Sequence, residues 1–113
     1  MRIYRVILPI LVVLLAGTAV GGQGKSEARR HLIYLHGRIV QERQSARPEH
    51  PQFGYYELER ILLAFRERGF IVTGEIRPKS VSVSDAADRV VSQVRELLAS
   101  GVPADHITVV GAS

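Results

Sequence analysis

The sequence predicts an α/β fold built on a parallel sheet, and three observations lead there. Leu32–Leu35 is a short, unbroken apolar run that suits a strand covered on both faces. Phe70–Ile76 is rich in β-formers, and Ile107–Val110 reads as a third, buried strand. Two longer segments between them repeat apolar residues at helical spacing, and Gly69, Gly101 and Pro103 sit at the joints. The order β-α-β-α-β with helix-length crossovers implies parallel neighbours and right-handed connections.

The chain has 113 residues, room for one small domain at most. It opens on a segment of different composition. Arg2 and Arg5 precede an apolar run from Val6 to Ala16, and small residues follow. That layout is a secretory leader, with cleavage expected near Ala19 or Gly21. An uncleaved membrane anchor is the alternative, because Ile3 to Val20 nears the lower limit for a bilayer span. The expected divisions are therefore 1–21 as leader or anchor, 22–30 as linker, and 31–113 as the folded unit. The expected location is periplasmic or secreted, or else tethered to a membrane by the leader.

Within the folded unit, Leu32–Leu35 is the first strand and ends at His36-Gly37. Arg38 to Phe53 reads as a long polar connection, with Pro48 and Pro51 inside it. Gly54 to Gly69 reads as a helix, with Leu58, Ile61, Leu62 and Phe65 on one face. Phe70 to Ile76 is the second strand. Gly74 marks a place of close approach, and Arg77-Pro78 ends the run. Ser84 reads as the N-cap of the next helix, with Asp85 in its first turn. Its apolar stripe is Ala87, Val90, Val91, Val94, Leu97 and Leu98, and Gly101 closes it. Ile107–Val110 is the third strand, expected to be buried.

Composition excludes several classes of function. There is no cysteine, so disulfides and a lipidated-cysteine anchor are ruled out. The four histidines are scattered and suggest no metal site. No Walker A loop and no Gly-x-Gly-x-x-Gly fingerprint is present. Two of the four net positive charges are Arg2 and Arg5 in the leader, and the other bases are interleaved with acids. That pattern describes a solvated surface and no nucleic-acid partner. No cofactor is implied.

The chemistry is concentrated at the far end. The third strand runs into Gly111-Ala112-Ser113. An apolar strand entering Gly-x-Ser is the first half of a nucleophile elbow, the strand-to-helix turn that lifts a serine hydroxyl above a sheet. Ser113 is therefore the expected nucleophile. The elbow is opened at residue 113 and not closed within the chain, so the expectation is the front part of a hydrolase, inactive by itself. His36, Gly37 and Arg38 follow the first strand. In elbow geometry a second loop of this kind supplies an oxyanion donor, here the N–H of Gly37 or Arg38. His31, His50 and His106 read as surface or loop residues, and Tyr55-Tyr56 as packing beside the helical stripe.

With these residues in view, the chain resembles the α/β-hydrolase superfamily, and more narrowly a group of small bacterial α/β hydrolases with leaders. The resemblance rests on Tyr34-Leu35-His36-Gly37, on Gly69-Phe70-Ile71-Val72 and on Glu75-Ile76-Arg77-Pro78-Lys79. It extends to Gly101-Val102-Pro103 and to Val109-Val110-Gly111-Ala112-Ser113. Those relatives continue Gly-Ala-Ser-Lys-Gly-Gly into a helix. The match covers about residues 31 to 113. It implies a partial α/β-hydrolase fold with the first strand central among the three. It also implies Ser113 as nucleophile toward an ester or related acyl substrate. Two rivals compete with that expectation: a binding or scaffold module on the same fold without a triad, and a flavodoxin-like phosphate binder. The second lacks a Gly- or Ser/Thr-rich loop after the first strand.

Overall fold

The computed structural model describes residues 29–112. The expected leader (1–21), most of the expected linker and Ser113 lie outside the described residues. Strand β1 spans Arg30–Leu35, helix α1 Arg38–Arg43, strands β2 and β3 Glu49–His50 and Gly54–Tyr55, and helix α2 Leu58–Glu67. Strand β4 (Phe70–Thr73), helix α3 (Val83–Ala99), a 3-10 turn (Ala104–His106) and strand β5 (Ile107–Gly111) follow. The fold is mixed α/β around a three-stranded sheet of order β4-β1-β5. Both pairings of β1 are parallel, with Leu32 opposite Val72 on one side and opposite Thr108 on the other.

The unbroken apolar run of β1 is explained by its central place. Leu32, Ile33 and Tyr34 are all buried, as a strand with neighbours on both sides and cover on both faces requires. Side chains alternate along a strand. Leu32 and Tyr34 face Val40 of α1 and Leu58 and Leu62 of α2, and these five form the core. Ile33 and Leu35 face the other way, toward α3. A cavity of about 430 Å³ lies between them and Val83, Ala86 and Val90 of that helix.

Helix α2 carries the stripe read from its spacing: Leu58 and Leu62 are buried, and Ile61 and Phe65 are partly buried against the core. It begins at Leu58, not at Gly54, because Gly54-Tyr55 pairs antiparallel with Glu49-His50. That hairpin and α1 replace the expected irregular connection from Arg38 to Phe53. Six residues are too few to display a helical period, yet α1 places Val40 in the core with no exposed surface. His50 braces the hairpin turn: its Nδ1 accepts the N–H groups of Gln52 and Phe53.

Four further expectations are corrected. The N-cap of α3 is Ser82, not Ser84, and its hydroxyl accepts the Asp85 N–H at 3.0 Å. A Ser at either position suits the sequence signal, but only Ser82 has Asp85 at the N3 spacing. Strand β5 is not buried. Thr108 and Val109 are exposed, because β5 is an edge strand among the described residues. Helix α3 likewise has no fully buried residue. Val90, Val94 and Leu97 of the expected stripe are partly covered, together with Ala86, whereas Ala87, Val91 and Leu98 are exposed. The second strand also ends early, at Thr73. Gly74 then comes against Leu62: a Cβ built there would lie 2.5 Å from Leu62 Cδ2.

Candidate functional site

The carboxyl ends of β1 and β5 lie side by side. Leu35 is in register with Gly111, and the Ala112 N–H donates to the Leu35 carbonyl at 3.0 Å. Immediately beyond, Gly37 approaches Ala112, with a built Cβ 3.9 Å from the Ala112 carbonyl oxygen. The connections out of β1 and into β5 reach opposite sides of the central strand, so this is a topological switch point. Open α/β sheets bind ligands at such places. Of the expected site residues, His36, Gly37 and Arg38 are thus brought to the end of β5. Ser113, the next residue along the chain, lies outside the described residues.

His36 is buried, at 2% exposure. Its Nε2 accepts the Arg77 N–H at 3.0 Å. A backbone amide can only donate, so the neutral ring must carry its proton on Nδ1, which donates to the Gly37 carbonyl at 3.0 Å. Burial pushes the imidazole pKa below its ordinary value, and the nearby Arg77 guanidinium adds to that shift. The ring therefore holds the loop as a neutral clasp with both nitrogens engaged.

Arg77 completes the clasp. Its Nη2 donates to the His36 carbonyl at 2.9 Å and its Nε to Gln41 Oε1 at 3.1 Å. Gln41 Nε2 donates to the carbonyls of Pro78 and Val81, and Gln44 Nε2 to that of Arg77. Helix α1 is thereby tied to the segment after β4. The Arg38 side chain points to solvent and pairs with Glu42 one turn on. Its backbone N–H, the first of a helix and so without an intrahelical acceptor, has no partner among the described residues.

Tyr56 was expected only to pack. Its ring lies against Gly37, with Cε2 3.3 Å from a built Cβ. Its hydroxyl accepts the Gly37 N–H at 3.1 Å and lies 2.7 Å from the Tyr34 hydroxyl. Tyr34 is buried at 6% exposure, and that burial, with the Tyr56 hydroxyl second, raises its pKa well above the usual phenol value. Tyr55 is exposed instead, under the Arg47 guanidinium at 3.8 Å. One signal in the sequence separates the two tyrosines. Tyr56 is two residues before the first buried position of α2, at the entry to the helix, where a polar tip can reach the strand ends.

The other histidines are remote from this chemistry in their contacts. His50 serves its turn and stacks on Phe53, and His106 lies 3.8 Å from Asp105 at the base of β5. Among the described residues no group of three His, Asp or Glu side chains is arranged to hold a metal, and no helix is long and apolar enough to cross a membrane. No protein family, no curated protein and no solved structure matches the chain.

Proposed function

We propose that the chain carries the nucleophile side of an exported α/β-hydrolase-type serine hydrolase acting on ester or related acyl bonds. One observation carries the reading: the loop after the central strand and the Gly111-Ala112 end of β5 adjoin at the switch point of a parallel sheet, and Ser113 follows directly. Elbow chemistry needs that juxtaposition, because the serine attacks the acyl carbon while donors on the neighbouring loop hold the carbonyl oxygen.

In this reading the Ser113 oxygen bonds to the carbonyl carbon as its proton passes to a base. The carbonyl electron pair moves onto oxygen. Collapse of that tetrahedral species expels the alcohol, which takes up the proton, and leaves an acyl-serine. Water then repeats the sequence and releases the acid. The segment His36-Gly37-Arg38 forms the oxyanion side, with the Arg38 amide, which has no partner among the described residues, as its donor. His36 is not the base, since both its nitrogens are engaged within the fold. In this fold the acid and the histidine of the triad follow the serine in the chain.

The test uses the protein expressed from its complete reading frame, with p-nitrophenyl butyrate and a fluorophosphonate label. Hydrolysis and labelling by the parent, both lost in Ser113→Ala with the thermal melt retained, are the expected result. Equal hydrolysis by Ser113→Ala, or a parent inert to both reagents, refutes the reading in favour of a non-catalytic binding module.

A further inference from the structure

We infer that the space between the sheet and α3 binds an amphipathic anion, an unbranched alkyl carboxylate of medium length. Its chain lies between β1 and α3, and its carboxylate among Arg38, Arg77 and Lys79. The inference goes beyond the hydrolase reading and stands without it.

Two hollows meet here. The first is the cavity of about 430 Å³ between Ile33 and Leu35 of β1 and Val83, Ala86 and Val90 of α3. That volume falls among small-molecule sites, which span about 300–1,000 Å³. The second is a groove bounded by Arg38, Gln41 and Glu42 of α1, by Lys79, and by Ser82 at the start of α3. Arg77, Val81, Val83 and Ala86 line both, so the groove continues the cavity. The space exists because α3 sits loosely on the sheet: none of its 17 residues is fully buried. Val83 marks the junction of the two hollows, an apolar side chain 88% exposed. An alkyl chain leaving the cavity toward the groove would cover it and gain from that burial.

Charge decides which end of the ligand goes where. The charged lining of the cavity is balanced, Glu75 and Asp85 against Arg77 and Arg89, and Glu75 is paired with Arg89. The rest of its wall is chiefly aliphatic. Apolar space of this kind stays dry and takes up apolar ligands. In the groove, three bases, Arg38, Arg77 and Lys79, face one acid, Glu42, which Arg38 engages. Arg77 commits Nε to Gln41 and Nη2 to the His36 carbonyl. Its Nη1 and the Lys79 ammonium have no partner among the described residues. The positive end of α3 adds to the same field. An anionic head therefore belongs in the groove, and the alkyl chain behind it in the cavity.

The experiment measures Kd by isothermal titration calorimetry on the full-length protein. The probes are butanoate, hexanoate, octanoate and decanoate, with octan-1-ol and octylammonium as head-group controls. Affinity is expected to rise about fourfold per added methylene until the cavity is filled. Octanoate is expected to bind more tightly than either control. Lys79→Gln should weaken octanoate about two- to fivefold, the scale of an exposed ion pair, and leave octan-1-ol unchanged. Val83→Asp puts a carboxylate at the junction of cavity and groove. That residue is exposed and begins α3, where an acid is favourable, so the thermal melt should be retained. Octanoate binding should nonetheless fall at least about tenfold, through like-charge repulsion and lost apolar contact. A full-length protein that binds none of the four carboxylates overturns the proposal, because the space is then closed or filled by the chain itself. Octylammonium bound as tightly as octanoate overturns it by removing the basic groove from the interaction. Octanoate bound equally by Val83→Asp and the parent puts the ligand elsewhere and overturns it too. Ser113→Ala should bind octanoate as the parent does. Loss of binding there would move the ligand to the hydrolase site and overturn the proposal, whereas loss of ester hydrolysis alone bears only on the hydrolase reading.

Discussion

Replacing Gly74 by alanine tests how tightly the sheet and α2 are joined, and the sign of the effect can be reversed by a second change. Gly74 follows β4, and its φ is not in the left-handed region. The added methyl therefore costs no backbone strain. By restricting the unfolded chain it would stabilise the protein by about 0.4–1 kcal/mol if space allowed. Space does not allow it: the new Cβ would lie 2.5 Å from Leu62 Cδ2 and 3.1 Å from Cδ1. Leu62 is 4% exposed and packed among Leu32, Tyr34 and Leu58, so it has little room to turn aside. Overpacking of this kind costs about 1–3 kcal/mol, leaving Gly74→Ala destabilising by about 1–2 kcal/mol. Leu62→Ala alone should cost about 2–5 kcal/mol by opening a cavity. In that background the methyl at 74 enters vacated space, so Gly74→Ala should be neutral or stabilising. Urea denaturation of the parent, both single variants and the double variant gives the coupling energy directly. Additive effects, with Gly74→Ala equally harmful in both backgrounds, would refute the close approach as the cause.

The clasp histidine predicts a pH dependence of stability. Burial lowers the His36 pKa in the fold below the ordinary 6.5, so between the two values the unfolded chain binds the extra proton. Stability is fully present above pH 6.5 and falls as pH drops toward the lower folded value. His36→Gln should flatten that part of the profile, and a variant that keeps the parent slope from about 6.5 down to about 4.5 would refute the assignment. Below about 4.5 the loss belongs in part to Glu75, whose carboxyl is held low chiefly by its hydrogen bond to Arg89. If residues 1–21 are a cleaved leader, N-terminal sequencing of the mature product should find a chain starting at Val20 or Gly22, and a membrane-held product still beginning at Met1 would establish the anchor instead.

What the sequence disclosed, and what it hid, divides along the range of the forces involved. The apolar run Leu32–Leu35 declared a strand covered on both faces, since hydrophobic burial leaves its mark residue by residue. The same holds for Leu58, Ile61, Leu62 and Phe65 on α2. Helix α1 left no such mark, because a six-residue helix contributes one core residue, Val40, and one residue has no period. The hairpin Glu49–Tyr55 is held by backbone pairing, which polar residues satisfy as well as apolar ones. The exposed edge of β5 was equally hidden, since Ile-Thr-Val-Val reads alike at the centre and at the edge of a sheet.

The site follows the same division. His36, Gly37 and Gly111 were visible because strand ends and glycines are local features. Tyr56, Arg77, Gln41 and Gln44 were not, because each acts through hydrogen bonds to residues about 20 to 40 positions away, and such partners have no signature in spacing. Their contributions are nonetheless of one kind. Gln41 and Gln44 tie α1 to the segment after β4, Arg77 ties that segment to the His36 carbonyl and ring, and the ring holds the Gly37 carbonyl. Gly37 turns its N–H to the Tyr56 hydroxyl, which Tyr34 anchors from the core. Donor geometry matters at the level of fractions of an ångström. A loop of bare glycine beside an edge strand would not hold it, and this chain of bonds from core to strand end is what fixes the loop after β1 against the end of β5.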